Sequence, residues 1–235
     1  MQACSRKRDL YIQNDNKKTA AQQDAIMDKK RMITPVKDNT EKHFTYRVFL
    51  SKYNKAMKEG FYFEALLIDY ALIEDRLRSY LYYLGLLKTR NSYKIDSDKA
   101  KRTLKPILEE NKGKKENANF AYSMSGKIKI IRCTLLWAEQ EGFNENDIYL
   151  KAIRAQYDKH VDVDGMLDVL QEIQDWCKYR NEVIHALLNK NAYSQNKSIK
   201  NQAEKGMQLA RFLDNQVKYL KKGNRIRKSI NLQNI

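Results

Sequence analysis

The chain has 235 residues, of which 42% are hydrophobic, and its formal net charge is +16. It contains no run of about 18 uncharged apolar residues, which excludes a membrane-spanning helix. Its first residues, MQACSRKRDL, lack the apolar segment of a secretory signal. Only 8 Gly and 2 Pro favour long helices over turn-rich β structure. We therefore expect a cytoplasmic, all-α protein whose 3 cysteines stay reduced.

The positive charge lies mainly at the two ends of the chain. Residues 1–60 hold 14 Lys and Arg against 7 Asp and Glu, whereas residues 61–188 hold 20 of each. Residues 189–235 hold 11 against 2. A neutral middle is typical of a folded core, and basic ends favour a polyanionic partner such as RNA through counterion release. A solvated basic protein without such a partner has the same composition.

Residues 1–43 are polar and of mixed charge, and we predict a basic extension that is flexible or loosely attached. Apolar residues from Phe44 to Met57 predict a first helix that ends near Gly60. Residues 61–84 predict a second helix with a wide apolar stripe. The stripe comprises Phe63, Leu66, Leu67, Tyr70, Ile73, Leu77, Tyr80, Leu81 and Leu84. Such an apolar helix is expected at the centre of a bundle, with its acids, including Asp69, on the remaining side.

Further helices are predicted over residues 98–110, 125–141 and 147–157. In the helix 125–141 we expect Ile128, Ile131, Leu135 and Leu136 to face inward, although its β-branched residues leave a short strand as an alternative. A last helix, 199–220, should bury one stripe. That stripe comprises Ala203, Met207, Ala210, Leu213, Val217 and Leu220.

The helix predicted over residues 165–190 contains the polar residues that are candidates for a functional site. Asp164 is expected to cap its first turn. Apolar residues follow one another at steps of three and four: Met166, Leu170, Ile173, Cys177, Ile184 and Leu187. Arg180 falls on this same stripe, where a guanidinium is costly to desolvate unless it is paired or faces a site. Its partner could be Glu74 or Asp75 of the second helix.

Asn181 and His185 lie four residues apart on the neighbouring ridge of this helix. A histidine near neutral pKa can move the proton of a ribose 2′-OH or of a leaving group. The donor fork of Arg180 can stabilise a crowded anionic phosphate. One helix places Arg180 and His185 about 140° apart, at ~100° per residue. A two-fold dimer could bring two copies of both residues around one cleft.

Other chemistry is not supported by the sequence. There is no phosphate-binding glycine motif, no zinc spacing of Cys and His, and only 3 histidines. The acids near residue 160 depart from a calcium-binding loop at its first and twelfth places, because His160 and Gln171 stand there. Cys177 on the apolar stripe is expected to be an inert thiol. We therefore expect no metal and no cofactor.

The segment RNEVIH, residues 180–185, resembles the Arg-x4-His signature of the HEPN superfamily. The apolar segment EALLIDYALIEDRLRSYL and the final IKNQAEKGMQLARFLDNQVKYLKK are also similar to helices of such domains. The resemblance covers approximately residues 44–222, and it leaves 1–43 and a basic tail, 223–235, outside the domain.

The resemblance implies an antiparallel helical bundle that forms a homodimer with a composite, metal-independent endoribonuclease site at the interface. Arg180 and His185 would be the catalytic pair, and Asn181 the polar residue after the arginine. Members act as toxins or in abortive-infection and other antiviral defence, and some have an antitoxin or a nucleotidyltransferase partner. The rival interpretations are a non-catalytic helical module that binds nucleic acid or a protein, and an assembly protein in which Arg180 forms a buried ion pair.

Overall fold

The computed structural model describes residues 39–87, 123–139, 154–155, 161–186, 189 and 192–222. These residues form five long helices and no strand. The helices are α1 (Asn39–Glu59), α2 (Tyr62–Tyr83), α3 (Met124–Glu139), α4 (Val163–Ala186) and α5 (Ala192–Lys221). The all-α class predicted from the sequence is confirmed for this part of the chain. The predicted helix 98–110, most of 147–157, and the tail 223–235 lie outside it.

The chain divides into two units, residues 1–45 and 46–235. α1 begins at Asn39, five residues before its predicted start at Phe44. All contacts described below belong to the second unit. No helix of the described residues is long and apolar enough to cross a membrane.

Glycines in a left-handed conformation end the first two helices. Gly60, with φ +81°, follows α1, and Gly85, with φ +80°, follows α2. In each case the next amide donates to a carbonyl five residues earlier: Phe61 to Ala56 at 2.8 Å and Leu86 to Leu81 at 3.0 Å. This is the hydrogen bond of a Schellman turn, which needs a residue at positive φ and therefore favours glycine. The Schellman turn at Gly60 reverses the chain between α1 and α2.

α2 is the central helix, as its apolar pattern predicted. Its residues Leu66, Ile73, Leu77, Tyr80 and Leu81 are fully buried. Polar contacts connect α2 to its neighbours on three sides. They are Tyr46 to Asp75 from α1 (2.6 Å), Lys127 to Glu74 from α3 (3.0 Å), and Arg76 to Asp214 of α5 (2.7 Å). A helix surrounded in this way needs apolar residues on most of its circumference.

Several predicted faces are wrong in detail. Leu67 of α2 and Leu136 of α3 are 41% and 43% exposed, although both were expected inside. Asp69 was expected on the solvent side and is completely buried. Phe49 of α1 is also exposed at 37%, whereas Tyr53 and Ala56 of that helix are buried. For Leu67, Leu136 and Phe49, the apolar pattern is wider than the surface that a neighbouring helix covers. Asp69 is buried because it lies against Gly206 of α5.

The predicted inner stripe of α5 is confirmed at all its positions, which are buried. α5 runs beside α2, and Gly206 marks their closest approach. A Cβ at Gly206 would lie 2.8 Å from a ring carbon of Trp176 and 2.9 Å from Asp69. The absence of a side chain at residue 206 therefore allows α2, α4 and α5 to meet at one point.

Candidate functional site

α4 begins at a cap different from the predicted one. The side chain of Asp162 accepts a hydrogen bond from the amide of Gly165 at 3.0 Å, so Asp162, and not Asp164, caps the helix. A Cβ on Gly165 would collide with the carboxylate of Asp162. Asp164 lies in the first turn, where its charge still faces the positive end of the helix dipole. This local sequence fixes the start of the helix that carries Arg180 and His185.

The buried face of α4 holds that helix in place. Met166, Leu170 and Ile173 are buried as predicted, and Trp176 and Val183 join them. The indole N–H of Trp176 donates to the carbonyl of Gln202 in α5 at 2.8 Å. Cys177 and Ile184 are only half-buried, and Leu187 lies outside the described residues. The apolar stripe thus turns toward solvent as it reaches the C-terminal half of α4.

Arg180 is half-buried at this transition and lies on the ring of Tyr70 from α2. Its guanidinium carbon is 3.7 Å from the ring centroid. One terminal nitrogen donates to Oδ1 of Asn181 at 2.7 Å, and Nε is buried without a hydrogen-bond partner in the described part of the chain. The ring face attracts the cation and also removes it from water on one side. Arg180 is therefore held as a charged group by contacts that do not neutralise it.

The alternative ion pair of Arg180 with an acid of α2 is wrong. Glu74 accepts from Nζ of Lys127 at 3.0 Å, and Asp75 accepts from Arg76 at 2.7 Å. Among the described residues, no carboxylate lies within ion-pair distance of Arg180. Both candidate acids are engaged by cations from other positions, which leaves Arg180 without an acidic partner in the part of the chain that the structure describes.

His185 lies farther along α4 and is exposed. Five residues separate it from Arg180, which corresponds to about 140° of rotation around the helix. Asn181 is also exposed, and it contacts Arg180 and not the imidazole. Within one chain, the structure thus brings together Arg180 and Asn181 and leaves His185 apart from them.

The groups beside Arg180 are poor nucleophiles or bases. Burial raises the pKa of the Cys177 thiol to about 11, and the nearby Arg180 only partly opposes this effect. Its Sγ contacts Sδ of Met124 at 3.3 Å. The expectation that Cys177 is an inert, protonated thiol agrees with this environment.

Tyr70 is the site residue that the sequence did not indicate. It was counted as part of the apolar stripe, and it is half-buried with its ring beneath Arg180. Burial and the charge of Glu74 raise the pKa of its hydroxyl, while Arg180 lowers it. The only signal for this contact in the sequence is a combination of two features. An aromatic residue lies at the edge of one predicted stripe, and an arginine lies on the stripe of another helix.

Within the described ranges, no group of three or more His, Cys, Asp and Glu residues is arranged to hold a metal ion. No protein-family model matches the chain, and neither a curated protein nor a solved structure is similar to it.

Proposed function

We propose that the chain is a metal-independent endoribonuclease of the HEPN type that works as a homodimer in the cytoplasm. The observation that carries the proposal is the state of Arg180. It is a charged guanidinium without a carboxylate partner among the described residues. It lies on Tyr70 and is bonded to Asn181, on the helix that also exposes His185. A purely structural arginine at this depth would be expected to have an acidic partner.

The proposed reaction begins with a proton transfer to His185. The imidazole takes the proton of the ribose 2′-OH, and the 2′-oxygen attacks the adjacent phosphorus. The P–O5′ bond breaks, and the 5′-oxygen leaves with a proton from water. Arg180 stabilises the negative charge on the phosphate oxygens in the transition state. The products are a 2′,3′-cyclic phosphate and a 5′-OH.

Asn181 and Tyr70 act as positioning residues in this proposal. Asn181 Oδ1 accepts from one terminal nitrogen of Arg180 and leaves the remaining terminal N–H groups to bind a phosphate. Contact with the ring of Tyr70 restricts the movement of the guanidinium. Because Arg180 and His185 diverge around α4, we propose that the phosphate lies between Arg180 of one subunit and His185 of the other.

Cleavage of end-labelled RNA tests the chemistry. Arg180→Ala and His185→Ala should each lower the rate by about 10²-fold or more. Glu182→Ala, on the exposed side of the same helix, should retain wild-type activity, and circular dichroism should show all variants folded. Cleavage in excess EDTA should yield cyclic phosphate ends. Activity that persists in both variants, or that requires a divalent ion, would refute the mechanism.

Mixing the two inactive variants tests the composite site. In a mixed dimer of Arg180→Ala and His185→Ala subunits, one of the two sites combines an intact arginine with an intact histidine. Random exchange should restore about a quarter of the wild-type activity, since half of the dimers are mixed and each has one working site. No recovery after subunit exchange would place both residues of a site in the same chain.

The biological context follows from the same proposal. An endoribonuclease of this type would act as a toxin or as an effector of abortive infection or antiviral defence, with an antitoxin or a nucleotidyltransferase as its partner. If the purified protein binds RNA with full strength and cleaves none, the alternative of a non-catalytic nucleic-acid-binding module is favoured.

A further inference from the structure

Positive charge is unevenly distributed over the described helices. From Tyr46 onward, α1 has four Lys and Arg residues against one Glu, and α5 has six against two. In contrast, α4, which carries Arg180 and His185, has two against five. The helix of the candidate site is therefore acidic overall, and an RNA strand would be attracted mainly to α1 and α5.

α1 and α5 are in contact. The hydroxyl of Tyr53 in α1 donates to the carbonyl of Ala203 in α5 at 3.2 Å. Burial raises the pKa of this hydroxyl, Asp69 and Glu204 raise it further, and Arg211 opposes the shift. The charge of Arg211 in α5 therefore acts on the hydroxyl of Tyr53 in α1.

Each of the two helices carries exposed cations. On α5, Lys200, Arg211 and Lys218 are 11 and 7 residues apart, which keeps them in one line along about 27 Å of helix. The cations of α1 lie on the half of that helix opposite Tyr53, at ~100° per residue. We call these exposed cations of α1 and α5 together the basic face. It comprises Arg47, Lys52, Lys55, Lys58, Lys200, Arg211 and Lys218, all exposed.

Much of this charge is not neutralised by acids of the described residues. Ion pairs on the basic face connect Lys55 to Glu59 (4.0 Å), Lys200 to Glu204 (3.9 Å) and Lys218 to Asp214 (2.7 Å). The first two are long and exposed, so their stabilising effect is small.

Four cations of the basic face have no acid at ion-pair distance among the described residues. They are Arg47, Lys52, Lys58 and Arg211. In addition, the exposed ring of Phe49 lies 5.6 Å from the ammonium of Lys52. Cations next to an exposed ring are the combination that binds unpaired nucleotides, with phosphates on the cations and a base on the ring.

We propose that the basic face of α1 and α5 binds the backbone of single-stranded RNA at a surface separate from Arg180 and His185. The choice of RNA rests on the function proposed above, but binding does not require cleavage. The basic face would supply most of the affinity for RNA, and the acidic α4 would meet the strand only where Arg180 offers an unmatched cation.

Fluorescence anisotropy with a labelled oligouridine tests the proposal. All measurements use the His185→Ala chain so that the probe is not cut. Replacing three cations of the basic face with Gln should remove about two from the slope of log K against log salt, since each single-strand phosphate contact contributes ~0.7. The dissociation constant should rise on the order of 10-fold or more at moderate salt. The three substitutions are Arg47→Gln, Lys58→Gln and Arg211→Gln.

A matched variant controls for net charge. Arg132→Gln, Lys178→Gln and Lys205→Gln together remove the same charge from α3, from α4 and from the side of α5 that faces α4. This control should keep the wild-type slope of log K against log salt. It should lose less than about a third of the binding free energy that the basic-face variant loses. Equal losses in the two triple variants would show that only total charge matters and would overturn the proposal. Tighter binding of an oligothymidine than of the oligouridine would overturn the choice of RNA.

The two proposals fail in different ways. If the basic-face variant binds RNA like the unmodified chain while His185→Ala still abolishes cleavage, the basic face is wrong and the endoribonuclease stands. If the basic-face variant loses RNA binding but the wild-type protein cleaves no RNA, the basic face stands and the catalytic role of His185 is wrong.

Discussion

Ionisation of Asp69 should control the pH dependence of stability. The carboxyl of Asp69 is completely buried between α2 and α5, and neither oxygen has a hydrogen-bond partner in the described part of the chain. Burial raises its pKa from 3.8 to about 8. Folding at neutral pH therefore requires this group to take up a proton, because a lone buried carboxylate is far more costly than a neutral acid.

The sign and size of the effect follow from linkage. Between the unfolded pKa of 3.8 and the folded pKa of about 8, the unfolded chain has lost the proton and the folded chain retains it. The free energy of unfolding must then fall as pH rises, by about 1.4 kcal/mol per pH unit. From about pH 5 to about pH 8 this single group should cost about 4 kcal/mol, which is a large part of the stability of a typical domain.

Urea unfolding, followed by circular dichroism across this pH range, measures the effect. Asp69→Asn keeps the shape of the side chain without a titrating proton, so this variant should lose about 4 kcal/mol less than the wild type between about pH 5 and about pH 8. Asp168→Asn, at an exposed position of α4, is the matched control and should retain the wild-type pH profile. Parallel profiles for wild type and Asp69→Asn would refute the reasoning, because Asp69 would then have the same charge in both states.

The remaining predictions concern packing and positioning. Gly206→Ala should lower the free energy of unfolding by about 1–3 kcal/mol through overpacking at the crossing of α2, α4 and α5, whereas the exposed Gln208→Ala on the same helix should change it little in a urea titration. Arg76→Ala should lower the melting temperature and cost about 2 kcal/mol, because Asp75 and Asp214 lose this buried cation and keep only the more exposed Arg78 and Lys218. Tyr70→Leu should reduce RNA cleavage about tenfold by releasing the guanidinium of Arg180, and Tyr70→Phe, which keeps the ring, should restore it; equal rates for the two variants would contradict this role.

The helices themselves could be predicted because each has a clear apolar period. In α5, residues such as Ala203, Leu213 and Val217 repeat at helical spacing, and every predicted inner position is buried. A periodic stripe reports which side of a helix is apolar, so it is sufficient when a neighbour covers the whole stripe. It fails at the margins, where Leu67 and Leu136 remain exposed because no described helix covers them.

The site could be predicted only in part, because its contacts connect residues far apart in the chain. Arg180, Asn181 and His185 were predicted from one short segment, since a helix fixes the relation between its own residues. The burial of Asp69 depends on Gly206, about 140 positions away, which lets α5 approach closely. Tyr70 as the platform of Arg180 likewise depends on how α4 crosses α2, which no local pattern contains.

The location of Trp176 gives the protein a built-in optical reporter. The sequence contains 2 tryptophans, and the indole of Trp176 is buried at the crossing where it and Asp69 both lie against Gly206. With Trp137→Phe, all remaining indole emission would come from that crossing. A negative charge appearing on Asp69 next to the ring, or water entering around it, would shift the emission wavelength. Fluorescence of this single-tryptophan chain could therefore distinguish deprotonation inside an intact fold from unfolding, which a circular dichroism signal alone does not separate.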